Sequence, residues 1–374
     1  MPAVAVNLLW CVPGKVGGSE EYVTRVLAPL ATEAPDLDLT LFALPGFAAA
    51  HPELADRYEV VVSPVDGERR SVRVAVERTW LAAQIRRRRP ALLHHPGGTA
   101  APGSGSVPVV LSMHDIQYVA YPEYVGTVKL AWLRHELPSS LARARVITTP
   151  SEFVATSLVD AHDVDPARLA IVPHGLPAGF ATEPFDEGRL RARYRIPGPF
   201  LLYPAATYPH KNHLVLLDAL TRLEDRPELR LVLTGAPASG EELLRDAIEH
   251  RGLHDRVVRT GRVSDADRDA LLRSADALVF PSRYEGFGAP VIEAMAVGTP
   301  VLASRETALP EVVGGAGLLL DPDDATVWAG AIGRVLDDAS LRAGLVEAGH
   351  ERAGRFTAAH SAQALTRAYR RLLP

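Results

Sequence analysis

Cysteine is nearly absent: Cys11 is the single one in 374 residues, so no internal disulfide can form and a reducing compartment is expected. Long apolar runs are missing too, none reaching the ~20 residues of a membrane-spanning helix. The opening "MPAVAVNLLWCVPGK" lacks a charged leader and breaks at Pro13, which predicts a first strand and not a signal peptide, hence a cytoplasmic protein. Positive charge is short, 40 Lys and Arg against 45 Asp and Glu for a net charge of −5, and this argues against nucleic acid as a partner, since phosphate contacts call for a basic face. H-E-x-x-H does not occur, and neither His94 and His95 nor His210 and His213 have a nearby acid or cysteine to complete a zinc set, so no metal is expected.

What is present is a globular composition, 47% hydrophobic and 23% charged, long enough for two domains of roughly 150 to 200 residues each. Val4–Leu9, Leu37–Leu44, Tyr58–Val62, Ala91–His94, Val107–Met113 and Val146–Thr149 read as buried strands, with helical spacing in Glu20–Leu30 and Ser71–Arg88 between them. From Phe200 the rhythm restarts, with strands expected at Phe200–Pro204, Leu231–Thr234, Val257–Thr260, Ala277–Phe280, Val301–Ala303 and Gly317–Leu320. This alternation predicts an α/β protein of two doubly wound domains. Pro and Gly concentrate between Pro173 and Pro199, placing the domains at residues 1–185 and 186–374. An amphipathic helix expected at about 358–373 packs on the second domain or crosses back to the first.

In open α/β sheets ligands sit beyond the carboxyl ends of the strands, so the strand-to-helix loops are where chemistry is sought. The first, "VPGKVGGSEEY", places Gly17 and Gly18 where a helix begins, either to let an anionic or polar ligand reach backbone N–H groups or as a plain turn capped by Ser19. It matches neither G-x-G-x-x-G nor a Walker motif. In "YPAATYPHKN", Lys211 stands at a helix start, as a partner for a pyrophosphate or as a solvated lysine. In "SRYEGFGAPVIEAMAVG", Gly286 and Gly288 leave the N–H groups of Phe287 to Ala289 able to donate. Glu285 lies before the helix and Glu293 within it, and carboxylates suit vicinal sugar hydroxyls better than phosphates. Glu293 as a buried helix residue paired to an arginine is the plain alternative.

The ordered set of these segments resembles glycosyltransferase family 4, retaining enzymes with the two-domain GT-B fold, in which two Rossmann-like domains face each other across a cleft. The resemblance covers nearly the whole chain and rests on the E-x7-E signature Glu285–Glu293, "AMAVGTPVLAS", "PHKN", "VGGSEEY", "ITTPSEF" and "IVPHG". "HDIQYVAYPEY", His114–Tyr124, is similar to a bacterial polysaccharide and natural-product subset containing many mannosyltransferases.

The resemblance implies an acceptor-binding first domain and a nucleotide-sugar-binding second one. Gly17 and Gly18 would admit the donor, His114 would sit beside the reacting sugar, and Asp115 and Tyr118 would contact the acceptor. Lys211 would neutralise the departing diphosphate, and the backbone of Phe287, Gly288 and Ala289 would bind sugar hydroxyls or phosphate oxygens. Glu285 would hold the sugar, Glu293 the ribose, and the backbone of Val263 the base. The implied reaction moves a hexose from a nucleoside-diphosphate sugar (GDP-mannose, or a UDP- or dTDP-sugar) to a hydroxyl of a saccharide, lipid-linked or natural-product acceptor. It needs no cofactor and no metal. Relatives carry an arginine where this chain has Ala206; His210 supplies the missing donor, or a single cation holds the diphosphate.

Rival readings are a non-catalytic nucleotide-sugar binder, a GT-B epimerase or phosphorylase, and a metal-dependent transferase using the D-x-D at Asp321–Asp323, where capping of the next helix is the simpler role. In "TWLAAQIRRRRP", Arg86, Arg87, Arg88 and Arg89 follow an apolar face, which reads as a packed helix with a solvated basic end or as a peripheral contact with an anionic inner membrane surface.

Overall fold

The β-rich runs fold as parallel strands, because most are apolar on both faces and must be covered by helices from both sides. The computed structural model describes residues 1–373. Two units separate, one of Met1–Pro177 with the segment from Phe356 onward and one of Ala178–Arg355. The division thus falls after Pro177 and not after residue 185, and the chain's last segment belongs to the first unit.

In the first unit, β1 (Ala3–Leu8), β2 (Asp38–Ala43), β3 (Glu59–Val62), β4 (Leu92–His95), β5 (Val109–Ser112), β6 (Ala144–Thr149) and β7 (Leu169–Ile171) form a seven-stranded sheet in the order β3-β2-β1-β4-β5-β6-β7. Every pairing is parallel, and Val6 of β1 registers with Leu41 on one side and His94 on the other. In the second, β8 (Phe200–Pro204), β9 (Arg230–Thr234), β10 (Val257–Gly261), β11 (Ala277–Phe280), β12 (Val301–Ser304) and β13 (Leu318–Leu320) form a six-stranded parallel sheet in the order β10-β9-β8-β11-β12-β13. Of these strands, only β7 was not foreseen.

These orders locate the functional loops. Strand order reverses between β1 and β4 in one sheet and between β8 and β11 in the other. At such switch points the loops leaving the two strands run in opposite directions and open a crevice. The loops after β1, β8 and β11 are those that carry Gly17, Lys211 and Glu285.

The helix expected from Ser71 runs from Arg70 to Arg88, with a π-helical turn at Glu77–Leu81. Leu81 and Ile85 bury against Phe42, Leu44 and Leu93, and Trp80 meets the Phe42 ring edge-on at 6.0 Å. The apolar face is therefore core. Of the arginines at its end, Arg88 pairs with Glu59 at 2.7 Å and Arg87 donates to Gln84 at 2.6 Å. Among the described residues no helix is long and apolar enough to cross a membrane.

The last helix, Ala358–Arg370, buries Ala362, Leu365, Ala368 and Tyr369 in the first unit's core with Val23, Val26 and Leu27. Its entry is tight: Leu176 bridges to Thr357, and a Cβ on Gly175 would lie 2.4 Å from the Thr357 carbonyl oxygen. Beneath it runs a buried polar chain in which Tyr369 Oη meets His94 Nδ1 at 2.8 Å, His94 Nε2 meets Ser112 Oγ at 2.7 Å, and Ser112 Oγ meets Thr148 Oγ1 at 2.7 Å. Burial, helped by His95 and His114, lowers the His94 pKa to about 3, so the ring is neutral and this histidine is a structural link. Among the described residues no group of three His, Cys, Asp or Glu side chains gathers to hold a metal.

Candidate active site

In the first unit, Gly17 has φ +70° and ψ −133°, a region closed to L-residues, and hands the chain into the helix Gly18–Leu27. A Cβ on Gly18 would meet nothing within 4 Å, so the space beside this turn is open. The loop is strapped from behind by Glu20, a residue the sequence reading passed over. Its buried carboxylate accepts from Gly14 N at 2.9 and 3.1 Å and lies 2.9 Å from His51 Nε2. A carboxylate two residues after Gly-Gly was the available signal.

His114 follows β5. Its Nε2 lies 2.7 Å from the Pro96 carbonyl oxygen, which can only accept, so Nε2 carries the proton. Burial lowers its pKa despite that bond and the nearby Asp115, leaving a neutral ring whose Nδ1 is an acceptor. The Tyr22 ring packs edge-on at 5.0 Å and fixes its orientation. Exposed Asp115 accepts from Gln117 N at 3.0 Å. Tyr118 is buried, and its hydroxyl is engaged with His162 Nε2 at 2.9 Å. His114, Asp115 and Tyr118 line a cavity of about 600 Å³, together with Val16 and Ser19 beside the glycine turn and with Lys15, Arg70, Arg73 and Glu77.

In the second unit the loops after β8 and β11 meet. Lys211 Nζ donates to Glu285 Oε1 at 2.6 Å, both half-buried. Tyr203 Oη donates to the Lys211 carbonyl at 2.7 Å, so Ser282 Oγ, 2.9 Å away, donates to Tyr203. One buried tyrosine thus ties the two loops together from below. From above, Glu285 N donates to Thr307 Oγ1 at 3.0 Å. Asn212 reaches the Pro322 carbonyl at 2.6 Å.

His210 is buried, and desolvation first, then Lys211 and His213, lowers its pKa to about 3. Neutral His210 brings no charge to this loop. Gly288, φ +95°, caps the helix Ala289–Ala296, and a Cβ there would come within 2.7 Å of Leu309 Cδ2. Phe287 is buried, and Glu293 is 2% exposed within that helix. Near Glu293 lies Asp269, whose carboxyl is pushed up by burial and, to a smaller degree, by Glu293, while Arg268 opposes at 3.1 Å. Val263 follows Gly261 at the end of β10 and precedes Ser264, which caps the helix Asp265–Ser274. In the D-x-D, Asp321 pairs with Arg305 at 2.6 Å and Asp323 with Arg283 at 2.5 Å, while Asp324 caps the next helix by accepting from Thr326 N and Val327 N.

Comparison with known proteins agrees with this layout. Residues 16–179 match the family described as Glycosyltransferase Family 4, and residues 187–352 match Glycosyl transferases group 1. O-antigen chain mannosyltransferase B of Escherichia coli is 32% identical over 62% of this chain and 62% of its own. A D-inositol 3-phosphate glycosyltransferase of Jonesia denitrificans is 31% identical over 73% of this chain and 68% of its own. The MMP alpha-(1->4)-mannosyltransferase of Mycolicibacterium hassiacum is 37% identical over 51% and 45%. The chain therefore spans less than two thirds of the length of the first and third of these relatives. Among solved structures, Anabaena HepE in complex with UDP and glucose superposes with a TM-score of 0.79 at 21% identity, covering 99% of this chain and 100% of that one. Sucrose-phosphate synthase of Thermosynechococcus elongatus does so at 0.78 and 20%, covering 100% and 99%. With two parallel Rossmann-like sheets and both family patterns in order along it, the chain belongs to glycosyltransferase family 4 and has the GT-B fold.

Proposed function

We propose that this protein transfers a hexosyl group, with retention, from a nucleoside-diphosphate sugar to a hydroxyl acceptor, without a metal ion. The observation that carries this reading is the Lys211–Glu285 pair, 2.6 Å apart on the loops of β8 and β11. Holding two charges partly out of water is costly, and here each is the other's placeholder. A nucleoside-diphosphate hexose exchanges the pair for better partners, diphosphate oxygens on Lys211 and sugar hydroxyls on Glu285.

As the anomeric C–O bond breaks, its electron pair goes to the diphosphate and positive charge grows on the sugar. Lys211, positioned before the reaction starts, stabilises the developing anion. The acceptor oxygen bonds to the anomeric carbon on the face the diphosphate leaves, and its proton passes to a phosphate oxygen. No protein nucleophile is required, and Glu285 acts as a sugar ligand. In the D-x-D, arginines already occupy the carboxylates of Asp321 and Asp323, which supports a metal-free leaving-group site.

A neighbour in fold holds UDP and glucose and two relatives are mannosyltransferases, which supports a nucleotide-hexose donor, GDP-mannose or a UDP- or dTDP-sugar. The test is a panel of nucleotide sugars, each scored for nucleoside-diphosphate release with and without EDTA. Release that survives EDTA supports the reading. Loss on chelation that Mg²⁺ restores overturns metal independence, and silence across the panel leaves the non-catalytic binder.

A further inference from the structure

The first unit's cavity holds more positive charge than its own carboxylates answer. Two of its cations are paired, Lys15 with Glu68 at 2.7 Å and Arg78 with Glu136. Arg70 and Arg73 are held without a carboxylate: the Arg70 guanidinium lies over the Trp132 ring, 4.2 Å from its centroid, and Arg73 donates to the Gly67 carbonyl at 3.1 Å. They stand three positions apart in the first turn of one helix, where like charges face each other and both oppose the positive end of the helix dipole. Such an arrangement costs stability unless something uses it.

The neighbouring carboxyl, Glu77, does not answer them. It opens the π-helical turn, lines the same cavity, and forms no ion pair with either arginine among the described residues. Its side chain is held by Asn7, and burial outweighs Arg73, Arg78 and Arg70 to push its pKa up to about 7. With no carboxylate within ion-pair distance among the described residues, the two guanidiniums, one over Trp132 and one on the Gly67 carbonyl, line a volume of about 600 Å³, within the range that houses small-molecule ligands.

We propose that this cavity binds an acceptor carrying an anionic group, a phosphate or a carboxylate, with Arg70 and Arg73 gripping the anion and Asp115 taking hydroxyls of the remainder. Paired guanidiniums on one helix face match the forked geometry of either anion. The assignment rests on the transferase reading, which it deepens by naming the acceptor's chemical class.

The experiment measures binding and not turnover, so failure of the donor reading cannot masquerade as failure of this one. Glucose, glucose 6-phosphate and glucuronate are titrated at constant ionic strength, and inorganic phosphate is followed by its shift of the unfolding midpoint. The wild type should bind at least one of the two anionic sugars ten-fold or more tighter than glucose, and which of them it prefers separates phosphate from carboxylate. Arg70→Gln/Arg73→Gln should lose that preference and the midpoint shift with phosphate, while unliganded unfolding stays cooperative and UDP or GDP affinity is unchanged. Lys211→Ala, altered in the other unit, should keep the preference. Equal binding of glucose and both anions, no binding of any, or an undiminished preference in the double variant each overturns the proposal.

Discussion

Lys211 and Glu285, 74 residues apart in the chain, neutralise each other at 2.6 Å on loops that one tyrosine, Tyr203, joins from beneath. Lys211→Met leaves a half-buried carboxylate without its cation and should cost about 1–3 kcal/mol. Lys211→Met/Glu285→Gln should recover most of that loss in thermal unfolding. Turnover should stay down at least 10²-fold in both, since the stabilising charge is absent. A double variant as unstable as the single one would show that the pair is not coupled.

Glu77 makes stability depend on pH in a predictable direction. Its folded pKa is raised from 4.5 to about 7, so unfolding releases a proton between these values and stability falls as pH rises through that window. Below the window both states are protonated, and above it the full penalty persists, up to about 3 kcal/mol. Glu77→Gln should raise the unfolding midpoint at pH 8, leave it near the wild-type value at pH 4, and flatten the slope between.

Tyr369→Phe removes one end of the buried chain through His94, Ser112 and Thr148. The desolvated His94 nitrogen then has no partner, at a cost of about 1–3 kcal/mol in chemical denaturation. Leu365→Ala in the same helix should cost about 2–5 kcal/mol by opening a cavity in the first unit's core.

Two glycines of positive φ, Gly17 and Gly288, should respond differently to alanine. At Gly17 the added methyl meets nothing within 4 Å, so Gly17→Ala pays backbone strain alone, about 1–3 kcal/mol. At Gly288 the methyl also strikes Leu309 Cδ2 at 2.7 Å, and Gly288→Ala should be the more damaging to both stability and donor affinity. Equal unfolding midpoints for the two variants would contradict this ordering.

Patterning carried the fold a long way. Runs such as "AVAVNL" and "VVLS" are apolar but for one residue each because both faces of a parallel strand are covered, and that is visible without coordinates. β7 escaped because three half-buried residues at a sheet edge leave no distinctive pattern. The helix begun at Gly18 stops at Leu27 and a new turn starts after Pro29, a break that apolar spacing through Leu30 hid. The basic run Arg86–Arg89 was conspicuous, whereas Arg70 and Arg73 drew no notice, since nothing local says that a side chain faces a cavity.

From the sequence alone came the parallel α/β class, the restart at Phe200, and the glycines, lysine and glutamates of the strand-to-helix loops. All of these are local, set by periodicity, backbone freedom and residue chemistry within about one turn or strand. Only the tertiary structure decided strand order, which put those loops at switch points, and which core the amphipathic face of Ala358–Arg370 would enter. Only it decided that Lys211 would meet Glu285 and that burial would leave His210 and His114 neutral. Such outcomes depend on which distant groups share a space and how much water remains there, and one-dimensional spacing does not encode that in any short segment.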